Sequence, residues 1–472
     1  MPPQIALVAV SLFVVGCLVV DSTRKPNISV ALLIPLIWLV ILASRPLGSW
    51  FDQSSAAVTN VEGGSLIDRT VLTALTVMAP LVLLRRRLPW VQWLRENPWI
   101  VLLFLYSAIS IAWSEFPLVA VRRLFRALGS VLMIAVVLSE ADPIAAIGTL
   151  VRRCGYILVP FSILLNKYFR GLAVAYDQWS GREYLAGVTT DKNALGRLCL
   201  VVAIFILADI ITRNQDKSLA SNKLSTVVNC VMLLVTLWLL QQSQSATSLA
   251  AFLVGSCIFV GLGLPVIKRN VRHLGTLTVL ACAVTVILGT SVNLAEHAVA
   301  SLGRNMTFTD RTYIWADLLD RGTNPLVGVG YDSFWIGDRL DELFRKYKIN
   351  EAHNGFLEMY LELGLIGLCM LLCLVASTFW RAKRLLSRSV DFNYGRLCLT
   401  ILVTFILYNM TESASRITTL MFFLFLLLAI DVPTDLRTLT PAGAIARPLR
   451  GYAMSKTRRA VSPPLHESPT HL

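Results

Sequence analysis

Residues Asn293 to Ala352 form a polar stretch of about sixty residues, which runs directly into His353-Asn354-Gly355-Phe356-Leu357-Glu358-Met359-Tyr360-Leu361-Glu362-Leu363-Gly364 and then into apolar sequence. Long apolar runs lie on both sides of it. A segment inside a bilayer holds little exposed polar chemistry, because nothing there replaces the lost hydrogen bonds to water. A reaction centre in such a chain is therefore expected where this stretch meets the membrane.

Outward from that point the chain is 55% hydrophobic and only 15% charged, with a mean hydropathy of +0.65 over 472 residues. Soluble domains carry about 25% charged residues. The apolar runs, at 5–20, 28–44, 70–84, 98–113, 124–138, 154–168, 198–212, 226–240, 248–267, 274–292, 354–379, 394–411 and 417–430, approach the ~20 residues a helical crossing needs. They show no period-two alternation, which excludes a transmembrane β-barrel. The expected fold class is an all-α polytopic membrane protein with about 12–13 transmembrane helices. The run at 5–20 lacks a basic leader and a small-residue cleavage site, so it reads as a retained span. Residues 140–153, opened by Asp142-Pro143 and closed by Arg152-Arg153, read as a short interfacial helix.

The net charge of +14 does not point to nucleic acid, because Lys and Arg gather at span ends. Alternate connections are short and basic, including Arg85-Arg86-Arg87 and Lys268-Arg269, and are assigned to the cytoplasm. The other set, 45–69, 166–197, 241–247, 293–352 and 411–416, is assigned outside. Four regions follow: N-terminal membrane helices over 1–292, an outward loop with short helices over 293–352, C-terminal membrane helices over 353–430, and a basic tail over 431–472 that reads as disordered. The nine cysteines lie in or beside apolar runs and read as buried hydrophobes, with neither a disulfide framework nor a zinc site expected.

Within the outward loop, Thr309-Asp310 can cap a helix running to Arg321, with Gly322 as its stop. Arg311 and Trp315 share a face of that helix. The Gly328-Val329-Gly330 turn is a weak phosphate-binding signal, having no strand before it. Asp338 to Tyr347 reads as a second, amphipathic helix. Tyr313, Trp315, Tyr331, Phe334 and Trp335 either pack the loop onto the bundle or offer flat faces to sugar rings. His353 is either a polar cap or a catalytic imidazole, with an ordinary pKa near ~6.5 suited to neutral pH. Glu358 and Glu362 point away from it on an ideal helix, so the three do not converge on a metal. Thr189 to Arg197, Ser243 to Thr247, and Thr411-Glu412-Ser413 with Arg416 are the remaining polar span ends. If they meet, Lys192, Arg197 and Arg311 form a cationic cluster suited to phosphate; otherwise each cation snorkels to lipid.

The segment His353-Asn354-x-x-Leu357-x(6)-Gly364 resembles the signature of the O-antigen ligase and polymerase superfamily. Arg311 with Trp315, then Pro325 and Gly328-Val329-Gly330, resemble that family's large periplasmic loop. Ile34-Pro35-Leu36-Ile37-Trp38, Ser44-Arg45-Pro46-Leu47-Gly48-Ser49-Trp50, Asp191 to Gly196 and Gln242 to Ser245 are similar to exopolysaccharide polymerisation proteins of the ExoQ type. The resemblance implies a GT-C-like helical bundle in the bacterial inner membrane, facing the periplasm. It also implies a metal-independent, inverting glycosyltransferase with no cofactor. Its donor would be a polyprenyl-diphosphate-linked glycan and its acceptor a second glycan, with membrane lipids, a chain-length regulator and a flippase as partners. By position His353 is then the catalytic histidine and Arg311 a contact to the diphosphate, joined by Lys192 or Arg197. Asn354, Glu358 and Glu412 would support them, and Trp315, Tyr331 and Trp335 would stack on the glycan. Many members of that superfamily, ligases especially, carry an Arg in the short entry to the ninth span, where this chain reads Ser243-Gln244-Ser245-Ala246-Thr247.

On that resemblance His353 either takes the acceptor's proton or orients the acceptor. The favoured reading is a polymerase of lipid-linked repeat units. A ligase moving a glycan to lipid A core or protein, a transporter or flippase for lipid-linked sugars, and a non-catalytic scaffold are the alternatives. A transporter would show internal symmetry and polar residues deep within spans.

Overall fold

The computed structural model describes residues 2–24, 27–51, 65–86, 88–176, 181, 183–215, 223–270, 273, 311–416 and 418–431. Among the described residues the fold is an all-α bundle, with one small antiparallel pair of strands, Val174–Tyr176 and Glu183–Leu185. Among the described residues six helices are long and apolar enough to cross a membrane: Pro3–Ser22, Leu66–Arg86, Pro143–Tyr168, Lys192–Arg213, Lys223–Gln242 and Gly355–Leu386. Trp90–Glu96 and Pro98–Trp113 form an apolar pair bent by 93°, the geometry of a broken span or a re-entrant loop.

This count is lower than the run count for physical reasons. Val30–Leu42, Ala246–Leu262 and Leu420–Ala429 are apolar but short. At ~1.5 Å per residue a ten-residue helix covers only about half of a ~30 Å hydrocarbon core. Pro117–Leu138 carries Arg122, Arg123 and Arg126. The run at 274–292, the cap at Thr309-Asp310 and the tail lie outside the described residues.

Residues 140–153 are not a separate interfacial helix. Asp142 caps the helix as expected, its side chain accepting from Ala145 N. The helix then continues unbroken to Tyr168, because Arg152 and Arg153 do not end it. They are held instead by Asp21 and Asp209, which also pair with Arg24 and Arg213. This ion-pair network ties Pro3–Ser22 to the Pro143–Tyr168 and Lys192–Gln215 helices. Cys230, Cys257 and Cys369 are exposed on apolar helices rather than buried.

Leu420–Ala429 (LMFFLFLLLA) is apolar all round and buried along its whole length, as a helix at the centre of a bundle should be. Thr419 caps it, and Phe425 stacks on Phe405 at 4.2 Å.

The Gly355–Leu386 helix is broken at Gly364, whose φ of 66° suits only a residue without a Cβ. The turn over Pro325–Gly330 docks in the break and replaces the missing helical bonds. Val329 N and Gly330 N donate to Leu361 O and Glu362 O, while Leu365 N and Ile366 N donate to Pro325 O and Leu326 O. A Cβ on Gly328 would lie 2.3 Å from Glu362 O, and one on Gly364 would lie 2.2 Å from Leu326 O. The Gly-x-Gly turn is thus a backbone dock that fixes the polar loop to the bundle.

Candidate functional site

The loop's first described helix, Arg311–Leu319, opens with Arg311, and its second is Gly337–Tyr347. Between that second helix and Gly355 the chain turns sharply. His353 has φ 51°, the left-handed region, which costs a non-glycine residue of order 1 kcal/mol or more.

Two side chains hold this turn by one residue. Glu358 Oε1 accepts from Ala352 N at 2.7 Å, and Trp315 Nε1 donates to Ala352 O at 2.8 Å. Glu358 is buried and also accepts from Trp335 Nε1 at 2.6 Å and Ser413 Oγ at 3.0 Å. One carboxylate therefore joins the outward loop, the turn before the helix, and the segment after Asn409. Asn354 caps the helix, accepting from Phe356 N and Leu357 N.

The turn brings His353 between two carboxylates. Its Nδ1 lies 3.1 Å from Glu351 Oε1 and 3.2 Å from Glu412 Oε2. The other edge of Glu412 accepts from Arg311 Nη2 at 3.3 Å and from Asn193 Nδ2 at 3.1 Å. Arg311 Nη1 donates to Thr411 O. Burial alone would lower the pKa of the imidazole, but the hydrogen bonds and charges of Glu351 and Glu412 outweigh it and raise it to about 10. Burial would raise the pKa of Glu351, yet the hydrogen bond and charge of His353, backed by Arg416 and Arg197, lower it to about 2. The imidazole keeps 29% of its side chain exposed and Glu351 keeps 28%, whereas Glu412 keeps 6%.

The cations expected from the sequence divide. Arg311 is in the cluster. Arg197 lies over the ring of Tyr408 at 5.9 Å, within electrostatic reach of Glu351 and Glu412. Lys192 adjoins Asn193, but its ammonium lies 5.5 Å from the ring of Tyr184. In the turn without an Arg, Ser245 caps Ala246–Leu262 and donates to Asn193 Oδ1, and Thr411 Oγ1 donates to Thr247 Oγ1. Arg45 steadies this region by donating to the carbonyls of Leu172, Gly187 and Thr189.

The expected glycan-stacking rings are placed differently. Tyr331 and Trp335 are 6% and 3% exposed, so neither presents a face to a sugar. They pack the loop onto the bundle, which replaces their stacking role. Trp315 is half-buried, with its N–H spent on Ala352 O.

Sequence reasoning missed Glu351 and Asn193. Glu351 stands two residues before His353, a separation that puts side chains on opposite sides of a helix, and here the left-handed turn at His353 brings the two together. Glu351, His353 and Glu412 offer ligand atoms within 4.8 Å of one another. A cation there would compete with the protonated imidazole for the two carboxylates and would meet Arg311 across Glu412, with Arg197 and Arg416 nearby.

Fold and site define a multi-pass all-α membrane protein whose polar loop is docked on one end of the bundle. Residues 230–372 match the family described as O-Antigen ligase. Over 310 residues the chain is 28% identical to the exopolysaccharide production protein ExoQ of Rhizobium meliloti (strain 1021), covering 62% of this chain and 67% of the relative. It is 27% identical over 154 residues to provisionally named polysaccharide ligases of Rickettsia typhi and Rickettsia prowazekii, covering 31% of this chain and 38% of each relative. The chain thus spans well under half the length of the rickettsial relatives. These matches make the chain similar to the O-antigen ligase and polymerase superfamily and, of the three relatives, most extensively to ExoQ.

Proposed function

We propose that this chain is a glycosyltransferase that polymerises polyprenyl-diphosphate-linked oligosaccharide repeat units into a secreted polysaccharide, acting at the periplasmic face of the inner membrane. The observation that carries the reading is the continuous chain Arg311, Glu412, His353, Glu351 at the loop end of a membrane bundle. It joins fixed positive charge to an imidazole whose Nε2 side is left for substrate.

In this reading the donor diphosphate lies against Arg311 and Arg197, with Lys192 at the margin. The guanidinium groups stabilise the leaving diphosphate, the charge-neutralising task that metal ions perform in many transferases. His353 takes the orienting role. The hydrogen bonds and charges of Glu351 and Glu412 favour its protonated form, and a protonated imidazole donates a hydrogen bond and takes up no proton. It donates from Nε2 to the substrate. The acceptor hydroxyl attacks the anomeric carbon from the face opposite the diphosphate. The new glycosidic C–O bond forms as the bond to the diphosphate oxygen breaks, and polyprenyl diphosphate leaves as the anion. The hydroxyl proton passes to the half-buried carboxylate of Glu351, which suffices as a late acceptor because the attacking oxygen becomes acidic as it bonds to carbon, and leaves from there to water. Inversion, independence from metal, and association with a chain-length regulator and a flippase are parts of this proposal.

Transfer of a finished glycan to lipid A core or protein is the second reading, favoured by the family description and the rickettsial names. Purified protein given only lipid-linked repeat units decides between them. A polymerase yields a ladder of longer lipid-linked glycans, whereas a ligase yields none until its separate acceptor is added.

A further inference from the structure

A polar cavity of about 180 Å³ lies near the far end of the Gly355–Leu386 helix, most of that helix's length from His353. Its volume is several times the ~30 Å³ a water occupies in the liquid. Arg381 lines it and is 4% exposed. Its Nη1 donates to Leu428 O, and its Nε lies 3.2 Å from Asp431 Oδ1. Its Nη2 is buried with no hydrogen-bond partner. A buried donor left without a partner is costly, so this N–H is poised for an acceptor.

The cavity also meets the start of the Pro98–Ser110 helix through Trp99 and Ile100. Asn97 makes no capping bond there. Its amide is used on Trp93 O and Asp431 O, and its carbonyl oxygen on Asp431 N. The N–H groups of Trp99 and Ile100 are therefore uncapped at the positive end of a thirteen-residue helix, the arrangement that binds phosphate. Glu96 and Asp431 line the same space, with Arg384 at the rim, 70% exposed and 3.9 Å from Asp431. The carboxylates would repel a bare anion and favour a cation. Asp431 is paired with Arg381 and Arg384, and Glu96 accepts from Gln92 Nε2 at 2.9 Å, so the space presents both signs of charge, which suits a ligand with phosphate at one end and ammonium at the other. The 93° bend between Trp90–Glu96 and Pro98–Trp113, with Trp90 and Trp99 each 36% exposed, suits the headgroup level of a membrane.

We propose that this cavity binds the phosphoethanolamine headgroup of a membrane phospholipid. The phosphate takes Arg381 Nη2 and the N–H groups of Trp99 and Ile100, and the ammonium takes Glu96 and Asp431. This site is independent of the proposed reaction.

The test is native mass spectrometry of the full-length chain in detergent. It would be titrated with phosphatidylethanolamine, phosphatidylcholine and phosphatidylglycerol of matched acyl chains, and with free phosphoethanolamine as competitor. Phosphatidylethanolamine should be retained about fivefold or more over the other two, the ratio one partly exposed ion pair supplies. Glu96→Gln, at an exposed position, should bring the ethanolamine-to-choline ratio close to one. Arg381→Lys, which keeps a donor for Leu428 O, should weaken retention of phosphatidylethanolamine. Equal retention of the three lipids by the wild type, or a preference untouched by either substitution, would overturn the site. Binding of free phosphoethanolamine without retention of the lipid would overturn the lipid as its source.

Discussion

Arg311 and His353 share one carboxylate: Glu412 accepts the arginine on one oxygen at 3.3 Å and faces the imidazole with the other at 3.2 Å. A positive group that can hold a diphosphate and a ring that can touch an acceptor are thereby set at a fixed separation. Glu412 is 6% exposed on its side chain and is itself held by Asn193. Glu412→Gln keeps the shape but removes the charge between the two. We expect a loss in kcat of about 10²-fold, comparable to misplacing a reacting group by about 1 Å. The chain should remain in the membrane, as measured by yield of monodisperse protein alongside turnover.

Arg311→Lys separates charge from geometry. Lysine keeps the charge but loses the planar fork. A fall of about 10²–10³-fold in turnover is expected if the fork contacts the diphosphate in the transition state. An unchanged rate would assign Arg311 to the loop's anchorage alone, through Thr411 and Glu412.

The pH dependence follows from the raised pKa of His353. A group whose folded pKa lies above its unfolded value stabilises the fold fully below the unfolded pKa, here ~6.5. That stability is lost as pH rises through about 10. If the imidazolium is also the working form, kcat/KM falls over the approach to pH 10. If His353 were the base, kcat/KM would instead climb over that window. Thermal melting in parallel separates loss of fold from loss of function.

Trp315→Phe keeps an aromatic ring but deletes the N–H that grips Ala352 O, together with part of the indole. A stability loss of about 1 kcal/mol is expected for that one hydrogen bond. The drop in kcat should be far larger than such instability explains, with KM little changed. A drop confined to KM would instead restore a role for the indole against the glycan.

The break at Gly364 makes a fold prediction. Gly364→Ala must place a Cβ 2.2 Å from Leu326 O at a positive φ, a combination that should cost at least about 2 kcal/mol in strain and overlap. Gly171→Ala, with nothing within 4 Å of the added atom, is the control. Melting temperature in detergent should fall for the first and hold for the second.

Much of this architecture is legible in the sequence, because apolar runs and basic span ends are one-dimensional signals. The polar loop, its two helices, and His353 at the foot of a long apolar helix are all readable in that way. What escapes depends on reversals of the chain. Glu351 is invisible as a partner of His353 until the left-handed turn is known. An ideal helix aims Glu358 away from His353, yet its carboxylate reaches back to Ala352 N and so sets the turn. The Gly328-Val329-Gly330 turn reads as a weak phosphate loop, since nothing local shows that Gly364 opens a gap for its backbone. Tyr331 and Trp335 look like free aromatic faces because burial is a tertiary property. The short Leu420–Ala429 helix shows that an apolar run need not span: it sits inside the bundle, where helices, not lipid, surround it.

The most direct test is extension of purified polyprenyl-diphosphate-linked repeat units by the reconstituted full-length chain, wild type beside His353→Ala, read as a ladder of glycan lengths with chelator present. The wild type should give a ladder and the variant single repeat units only, with both proteins equally folded. A ladder of wild-type length from His353→Ala, or none from the wild type under any acceptor supplied, would contradict the assignment.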